Sequence, residues 1–251
     1  MAAFPNLTNP VVPAEIFVVP ASVHETRARE AVERAVRDGW LRPADAGEAA
    51  EIDAAELCFV PFWRVSVTVD GFHVGLAPIT GSRGGIIPIP TGGARHRDAD
   101  VLICARTIVP YEPRLPSFFG QMGGIPALEV ALSELVPVAK AGDALQAGPV
   151  VDADVDREKA EKLAALLVMR AVRPKHAIYA KYEPEIRSAT FCLYPLYYAR
   201  YRYGGEANPK LAEGFFVTIS GRTGALVAAK HPSGVRALAG RVRRLFKTGA
   251  R

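Results

Sequence analysis

The residues able to do chemistry in this chain are few and dispersed. Three cysteines, Cys58, Cys104 and Cys192, carry the thiols, and none belongs to a Cys-x-x-Cys pair or a close Cys/His cluster of the kind that holds zinc. Cys58 and Cys192 each open an apolar strand-like run, and Cys104 lies inside VLICA, so all three read as small hydrophobes of a core. An enzyme or redox sensor working through one of these thiols is an alternative the sequence leaves open. The five histidines, His24, His73, His96, His176 and His231, show no i, i+4 or Cys/His spacing that would place two ligands on one metal, and His96 in ARHRDAD reads as part of a solvated loop. No serine sits in Gly-x-Ser-x-Gly; Ser82 in TGSRGG reads as a turn residue. The glycine-rich stretch from Gly81 to Gly93 lacks both a P-loop Gly-Lys-Ser/Thr and a GxGxxG opening a helix, and Pro88 and Pro90 remove backbone donors that a phosphate would need. No catalytic residue, cofactor site or metal site is therefore expected, and the protein is expected not to be an enzyme.

Two other groupings suggest contacts. YPLYYARYRY combines aromatic faces with arginines, the pairing by which stacked bases and phosphates are held. Strand alternation places Tyr197, Tyr201 and Tyr203 on one face and leaves Tyr198, Arg200 and Arg202 on the other, with Arg64 at the equivalent position of an earlier strand. These four form a candidate sheet-face contact, for a nucleic acid or a small ligand as the alternative to a protein. With no RNP-type motif, the nucleic-acid reading ranks below a protein partner.

The second grouping is SGVRALAGRVRRLFK near the C-terminal end. Val235, Leu238, Val242, Leu245 and Phe246 recur at helical spacing, flanked by Arg236, Arg241, Arg243, Arg244 and Lys247. This predicts a basic amphipathic helix on the order of 20 Å long, too short to span a bilayer. It is suited to docking on its own domain or a partner, or to lying on an anionic membrane surface.

Composition supports a folded, near-neutral body. Of 251 residues, 49% are hydrophobic and 23% charged, ordinary for a globular chain long enough for two domains. The net charge of +5 is local: seven of the 31 cations fall in Lys230–Arg251 without an acid, which leaves 24 cations against 26 acids elsewhere. The basic balance describes a tail and not a nucleic-acid-binding face. The N-terminus has no cationic start or continuous apolar core of a signal peptide, and no run of 18 residues is apolar enough to span a membrane. With few cysteines, this gives an expectation of a cytoplasmic protein that can be peripheral to the inner membrane.

The elements that must position these residues repeat. ETRAREAVERAVRDGWLRP (Glu25 to Pro43) and DREKAEKLAALLVMRAVRP (Asp156 to Pro174) both read as helices ended by Arg-Pro. The expected apolar stripes are Val32, Ala35, Val36 and Trp40 in the first, and Leu163, Leu166, Leu167 and Ala171 in the second. LCFVPFWRVSVTVDG (Leu57 to Gly71) and FCLYPLYYARYRYGG (Phe191 to Gly205) follow as strands, with Trp63, Val65, Val67 and Val69 matching Tyr197, Ala199, Tyr201 and Tyr203 on a core face. The opposite face is expected to be mostly wet. TGSRGGII (Thr80 to Ile87) and SGRTGALV (Ser220 to Val227) predict hairpin turns. A further buried strand is expected from Val101 to Val109, and a short helix from Ala127 to about Leu135 within a packed linker.

The helix followed by VPFW (Val60 to Trp63) resembles a group of bacterial proteins in which this unit often follows a zinc ribbon and precedes membrane segments. FFVTISGRTGALVAA (Phe215 to Ala229) resembles the strand-turn-strand of PepSY-like domains, which lay one helix across a small antiparallel sheet. Two departures stand out: there is no zinc ribbon, and Ser220 occupies a turn position usually held by Asp. The resemblance implies a binding or envelope-associated role and supplies no catalytic residue. The expectation is thus an α+β chain, a tandem duplication of a PepSY-like or cystatin-like unit with a C-terminal basic amphipathic helix. Residues 1–110 form the first repeat, 111–147 a linker with a short helix, 148–230 the second repeat and 231–251 the tail. The expected role is a non-enzymatic protein-interaction, scaffold or assembly subunit that acts through a protein partner or self-assembly, with an anionic membrane surface as a further contact.

Overall fold

The computed structural model describes residues 12–38, 50–80, 86–106, 128, 130–141, 145, 147–203 and 215–231. The tail residues Arg236, Leu238, Arg241, Val242, Arg243, Arg244, Leu245, Phe246 and Lys247, together with Trp40, lie outside them. In chain order the elements are β1 (Phe17–Val18), α1 (Glu25–Arg37), β2 (Ala50–Ile52), β3 (Glu56–Thr80), β4 (Ile86–Cys104), β5 (Val136–Pro137), α2 (Arg157–Val172), β6 (Ala177–Tyr203), β7 (Phe215–Ser220) and β8 (Leu226–Lys230). The fold is α+β: two helices pack on a mixed eight-stranded sheet.

The long strands β3 and β6 make the centre of the sheet, paired antiparallel from Glu56↔Tyr198 to Gly75↔Ala177. β4 pairs with the outer side of β3 over its whole length, Phe62↔Cys104 to Thr80↔Ile86. On the far side of β6 lie β1, which pairs with it in parallel, and β7, which carries β8. Val, Tyr, Phe and Trp dominate the central rows, the types that fit a pleated and buried surface. The β7–β8 turn closes with Gly224 at φ +75°, the left-handed conformation that glycine adopts without steric cost. The expected strand from Val101 is the end of one continuous β4 beginning at Ile86.

Both helices cover the same sheet face. α2 lies on Trp63, Val65, Val67 and Val69 of β3 and on Val101 and Ile103 of β4. α1 lies on Tyr197, Ala199 and Tyr201 of β6 and on Phe215, Val217 and Ile219 of β7. The face assigned to the core by alternation is therefore buried under helix in both strands. Trp63 is fixed further by its indole N–H donating to Val155 O at 2.8 Å and by an edge-on contact with Phe191 at 5.0 Å. Asp156 caps α2 by accepting from Lys159 N at 2.7 Å. α1 has no side-chain cap bond at His24, and the Tyr197 hydroxyl instead holds the preceding turn by donating to Val23 O at 2.8 Å. α2 ends at Val172, and Arg173 turns to extended backbone as the residue before Pro174 must.

The helix α2 buries a different stripe from the expected one. Ala160, Ala164 and Val168 face the sheet, whereas Leu163 and Leu166 are exposed, Leu166 at 59%. Small residues let the helix axis lie close to the β-branched rows beneath it, and the leucines are left pointing sideways and outward. The expected helix from Ala127 is also corrected over the described residues: Leu132–Glu134 is a single 3-10 turn, closed by Glu134 accepting from Ala131 N at 2.8 Å. Leu128, Val130 and Leu135 instead anchor this segment as a lid on the second sheet face, over Phe62, Tyr194 and the three cysteines.

The helix stripe is open to test by thermal or chemical denaturation. Ala164→Leu should cost about 1–3 kcal/mol through overpacking, whereas Leu166→Ser should stay within about 0.5 kcal/mol of wild type. The opposite ranking would return the helix to the leucine stripe.

Candidate functional site

The face of the sheet away from the helices was expected to be mostly wet, and this is corrected. Its inner rows are covered by the lid, so Arg64 is only 6% exposed and Tyr198 is buried, stacked on Phe216 at 5.9 Å. Arg200 and Arg202 are exposed, with the Arg200 guanidinium 6.0 Å from the Tyr198 ring centroid. The candidate contact Arg64, Tyr198, Arg200 and Arg202 is thus split, two residues inside and two outside, because Leu128, Val130 and Leu135 cover surface that alternation alone would leave to solvent.

Beyond the lid the same face becomes a polar recess of about 460 Å³, lined by Ser66, Thr68, His96, Asp98, Asp100 and Arg187 together with Val67 and Ala99. Arg64 holds the lining residue Asp100, donating through Nη2 to its Oδ2 at 2.5 Å, and donates through Nε to the lid at Val130 O at 3.1 Å. Ser66 Oγ donates to Asp100 Oδ1 at 2.5 Å, and Thr68 Oγ1 donates to Asp98 Oδ1 at 2.6 Å. Arg187 reaches the recess because β6 bulges: Ser66 faces Ser188 while Val67 faces Ile186, so Arg187 is the extra residue. Its Nε donates to Thr68 Oγ1 at 3.2 Å, and its Nη1 lies 2.9 Å from Glu185. His96 belongs to β4, not to a loop, and bridges two carboxylates, with Nδ1 at 2.7 Å from Asp70 and Nε2 at 3.3 Å from Asp98.

The polar groups of this recess hydrogen-bond to one another. The hydrogen bond to Asp70 and then that to Asp98 hold the His96 pKa above its ordinary 6.5. Asp98 is held below the usual carboxylate range, chiefly by the Thr68 hydroxyl. Both shifts favour the charged forms, as the imidazolium–carboxylate contacts require. Among the described residues, no group of three or more His, Cys, Asp or Glu could hold a metal ion. Asp70, Asp98, Asp100 and Arg187 were not singled out from sequence. The signal that could have found the three aspartates is the period of two in His96, Asp98 and Asp100, opposite Asp70, Thr68 and Ser66 at the same period.

The thiols lie on the covered inner rows. Cys104 and Cys192 flank Phe62 on either side, and Cys58 donates weakly to Leu196 O. All three are free and buried, and burial pushes each pKa up to about 12. A thiol held protonated is a poor nucleophile and a poor metal ligand.

With this geometry in hand, comparison with known proteins adds no relative. No family model, curated protein or solved structure matches the chain. Nor is any helix among the described residues long and apolar enough to cross a membrane.

Two outcomes follow for the recess and the thiols. A raised folded pKa means that the stabilisation from the His96 pairs is complete below pH 6.5 and fades as pH rises through the folded value. The imidazole NMR titration of His96 should have its midpoint above 6.5, and Asp70→Asn should bring it back toward that value. A thiol reagent at neutral pH should label none of Cys58, Cys104 and Cys192 in the native protein and all three after denaturation. Rapid native labelling of any one would reinstate a thiol chemistry.

Proposed function

We propose that this protein is a non-enzymatic interaction and assembly subunit, built from two copies of one helix-and-sheet unit of PepSY-like or cystatin-like character. The observation that carries the functional part is an apolar ribbon beyond the covered core. From Gly71 outward, β3, β4 and the first residues of β6 leave Phe72, Val74, Leu76, Ile89, Ile178 and Tyr179 exposed, Val74 at 52% and Ile178 at 70%. Exposed apolar side chains gathered in one region mark a contact surface, whereas scattered ones do not. Phe72 and Tyr179 already touch across the strands at 5.7 Å.

On the duplication reading, with Cys58 matched to Cys192 and Phe62 to Leu196, the local twofold between the copies lies at Val60↔Tyr194 of the central pair. The helix faces agree once they are offset by 132 residues instead of the 131 read from sequence: Ala28 with Ala160, Val32 with Ala164, Val36 with Val168. Each helix then lies mainly over strands of the other copy, α2 on β3 and β4, α1 on β6 and β7. On this reading the two copies are exchanged into one sheet and neither has a complete core alone. A cytoplasmic location, with the basic tail from Arg236 to Lys247 as a membrane or partner contact, belongs to the same proposal.

Sedimentation velocity across a concentration series tests the ribbon. Wild-type protein should self-associate reversibly, and the variant Phe72→Ser/Val74→Ser/Leu76→Ser should sediment as a monomer with a melting temperature close to wild type. A wild type that stays monomeric at every concentration would remove self-assembly through this surface.

A further inference from the structure

The ribbon differs from an ordinary exposed sheet edge in its backbone. Ala105 N donates to Pro61 O at 2.9 Å, so in the β3–β4 ladder odd-numbered residues point their N–H and C=O groups at each other and even-numbered residues point theirs outward. Pro78, Pro88 and Pro90 all fall on outward positions, with Pro78 and Pro88 directly opposite one another. Leu76, opposite Pro90, gives its outward N–H to His176 O at 3.2 Å. Across these two rows, therefore, neither edge of the hairpin carries an unpaired N–H group. A third strand cannot add here through backbone pairing, because the donors it would need are missing. For the same reason, an apolar environment can take up this part of the hairpin without stripping water from free backbone donors.

The side chains suit the same environment. Apolar residues occupy both faces and the margin: Phe72, Val74, Leu76 and Tyr179 on one face, Ile89 on the other, and Ile178 bulged out of β6. A single flat protein surface would cover only one of these faces. No acidic residue occurs from Gly71 to Arg97. Exposed cations ring the neck: Arg95 in the row of Gly71, Arg97 in the row of Val69, Lys181 beside Phe72, and Arg173 and Lys175 at the turn into β6. The carboxylates behind them have partners of their own: Asp70 and Asp98 share His96, Glu183 pairs with Lys181 and Glu185 with Arg187.

We infer that the β3–β4 hairpin, with the start of β6 at its neck, seats in the interfacial layer of an anionic lipid bilayer. This rests on the reading that the protein works through its apolar ribbon, and it names the occupant. The rows from Phe72 to Pro78 enter the headgroup and acyl boundary, where the outward carbonyls accept from interfacial water. Tyr179 lies at the level an amphipathic ring favours. Arg95, Arg97 and Lys175 meet lipid phosphates, each contributing in the way of juxtamembrane cations.

Full-length protein is floated with phosphatidylcholine vesicles with and without phosphatidylglycerol. It should bind the anionic vesicles, and Phe72→Ser/Val74→Ser/Leu76→Ser should weaken partitioning by about tenfold or more. In a second full-length variant, Val74→Trp, the emission gained over wild type should shift to the blue on anionic vesicles and be quenched by brominated lipid. Flotation that survives the serine variant, with no blue shift in the tryptophan variant, would overturn the inference and assign lipid binding to another part of the chain. No flotation, with ribbon-dependent self-association intact, would overturn the lipid occupant and leave the interaction reading standing. Absence of both would end both readings.

Discussion

Pairing between β3 and β6 is the constraint on which the rest of the molecule depends. Both strands are buried on both faces over their inner rows, with helices on the Trp63 side and the lid on the Phe62 side. A slip of one residue would turn Trp63, Val65 and Val67 toward the lid and put Arg64, Ser66 and Thr68 under α2. Register is therefore fixed by two different interiors at once. The bulges at Arg187 and Ile178 are the places where β6 departs from that register, and both lie outside the doubly covered rows. Close approach is needed at Gly71, where a Cβ would collide with Lys181 O and the Tyr182 ring that crosses it.

Three zones follow along these strands. The inner rows are apolar on both faces and hold the thiols out of reach of solvent. The middle rows keep the helix on one face but lose the lid on the other, and there the sequence changes to Arg64, Ser66, Thr68 and Asp70 against Asp100, Asp98 and His96. These residues satisfy one another, with Arg64 tying the recess to the lid and the Arg222–Glu134 ion pair tying the lid to the β7–β8 turn. The outer rows lose the covering elements while remaining apolar, and prolines appear where backbone donors would otherwise face outward. The change from hydrogen-bonded polar groups to exposed hydrophobes falls where the covering elements end.

Much of this was legible in alternation. The period of two placed Trp63, Val65 and Val67, and Tyr197, Ala199 and Tyr201, on a buried face, because that face meets helices along its length. It misjudged the opposite face because burial there comes from Leu128, Val130 and Leu135, whose spacing has no periodic signature of its own. The helix stripe was displaced by one position because hydrophobicity favours Leu163 and Leu166, whereas the close approach of helix to sheet favours Ala160 and Ala164. The recess was missed because its residues are polar and lie on different strands. Asp98 becomes informative only when Thr68 is known to stand opposite. Proline, read in sequence as a loss of donors to a phosphate, proved to report strand polarity.

The register of β3 against β6 can be measured directly. In non-hydrogen-bonded antiparallel pairs the Hα atoms face each other at close range, and Trp63↔Phe191 and Val65↔Ala189 are such pairs. Strong Hα–Hα NOEs between Trp63 and Phe191 and between Val65 and Ala189 are the result this structure predicts. Cross-peaks displaced to neighbouring residues, or none between the two strands, would contradict it and with it the placement of both helices, the recess and the ribbon.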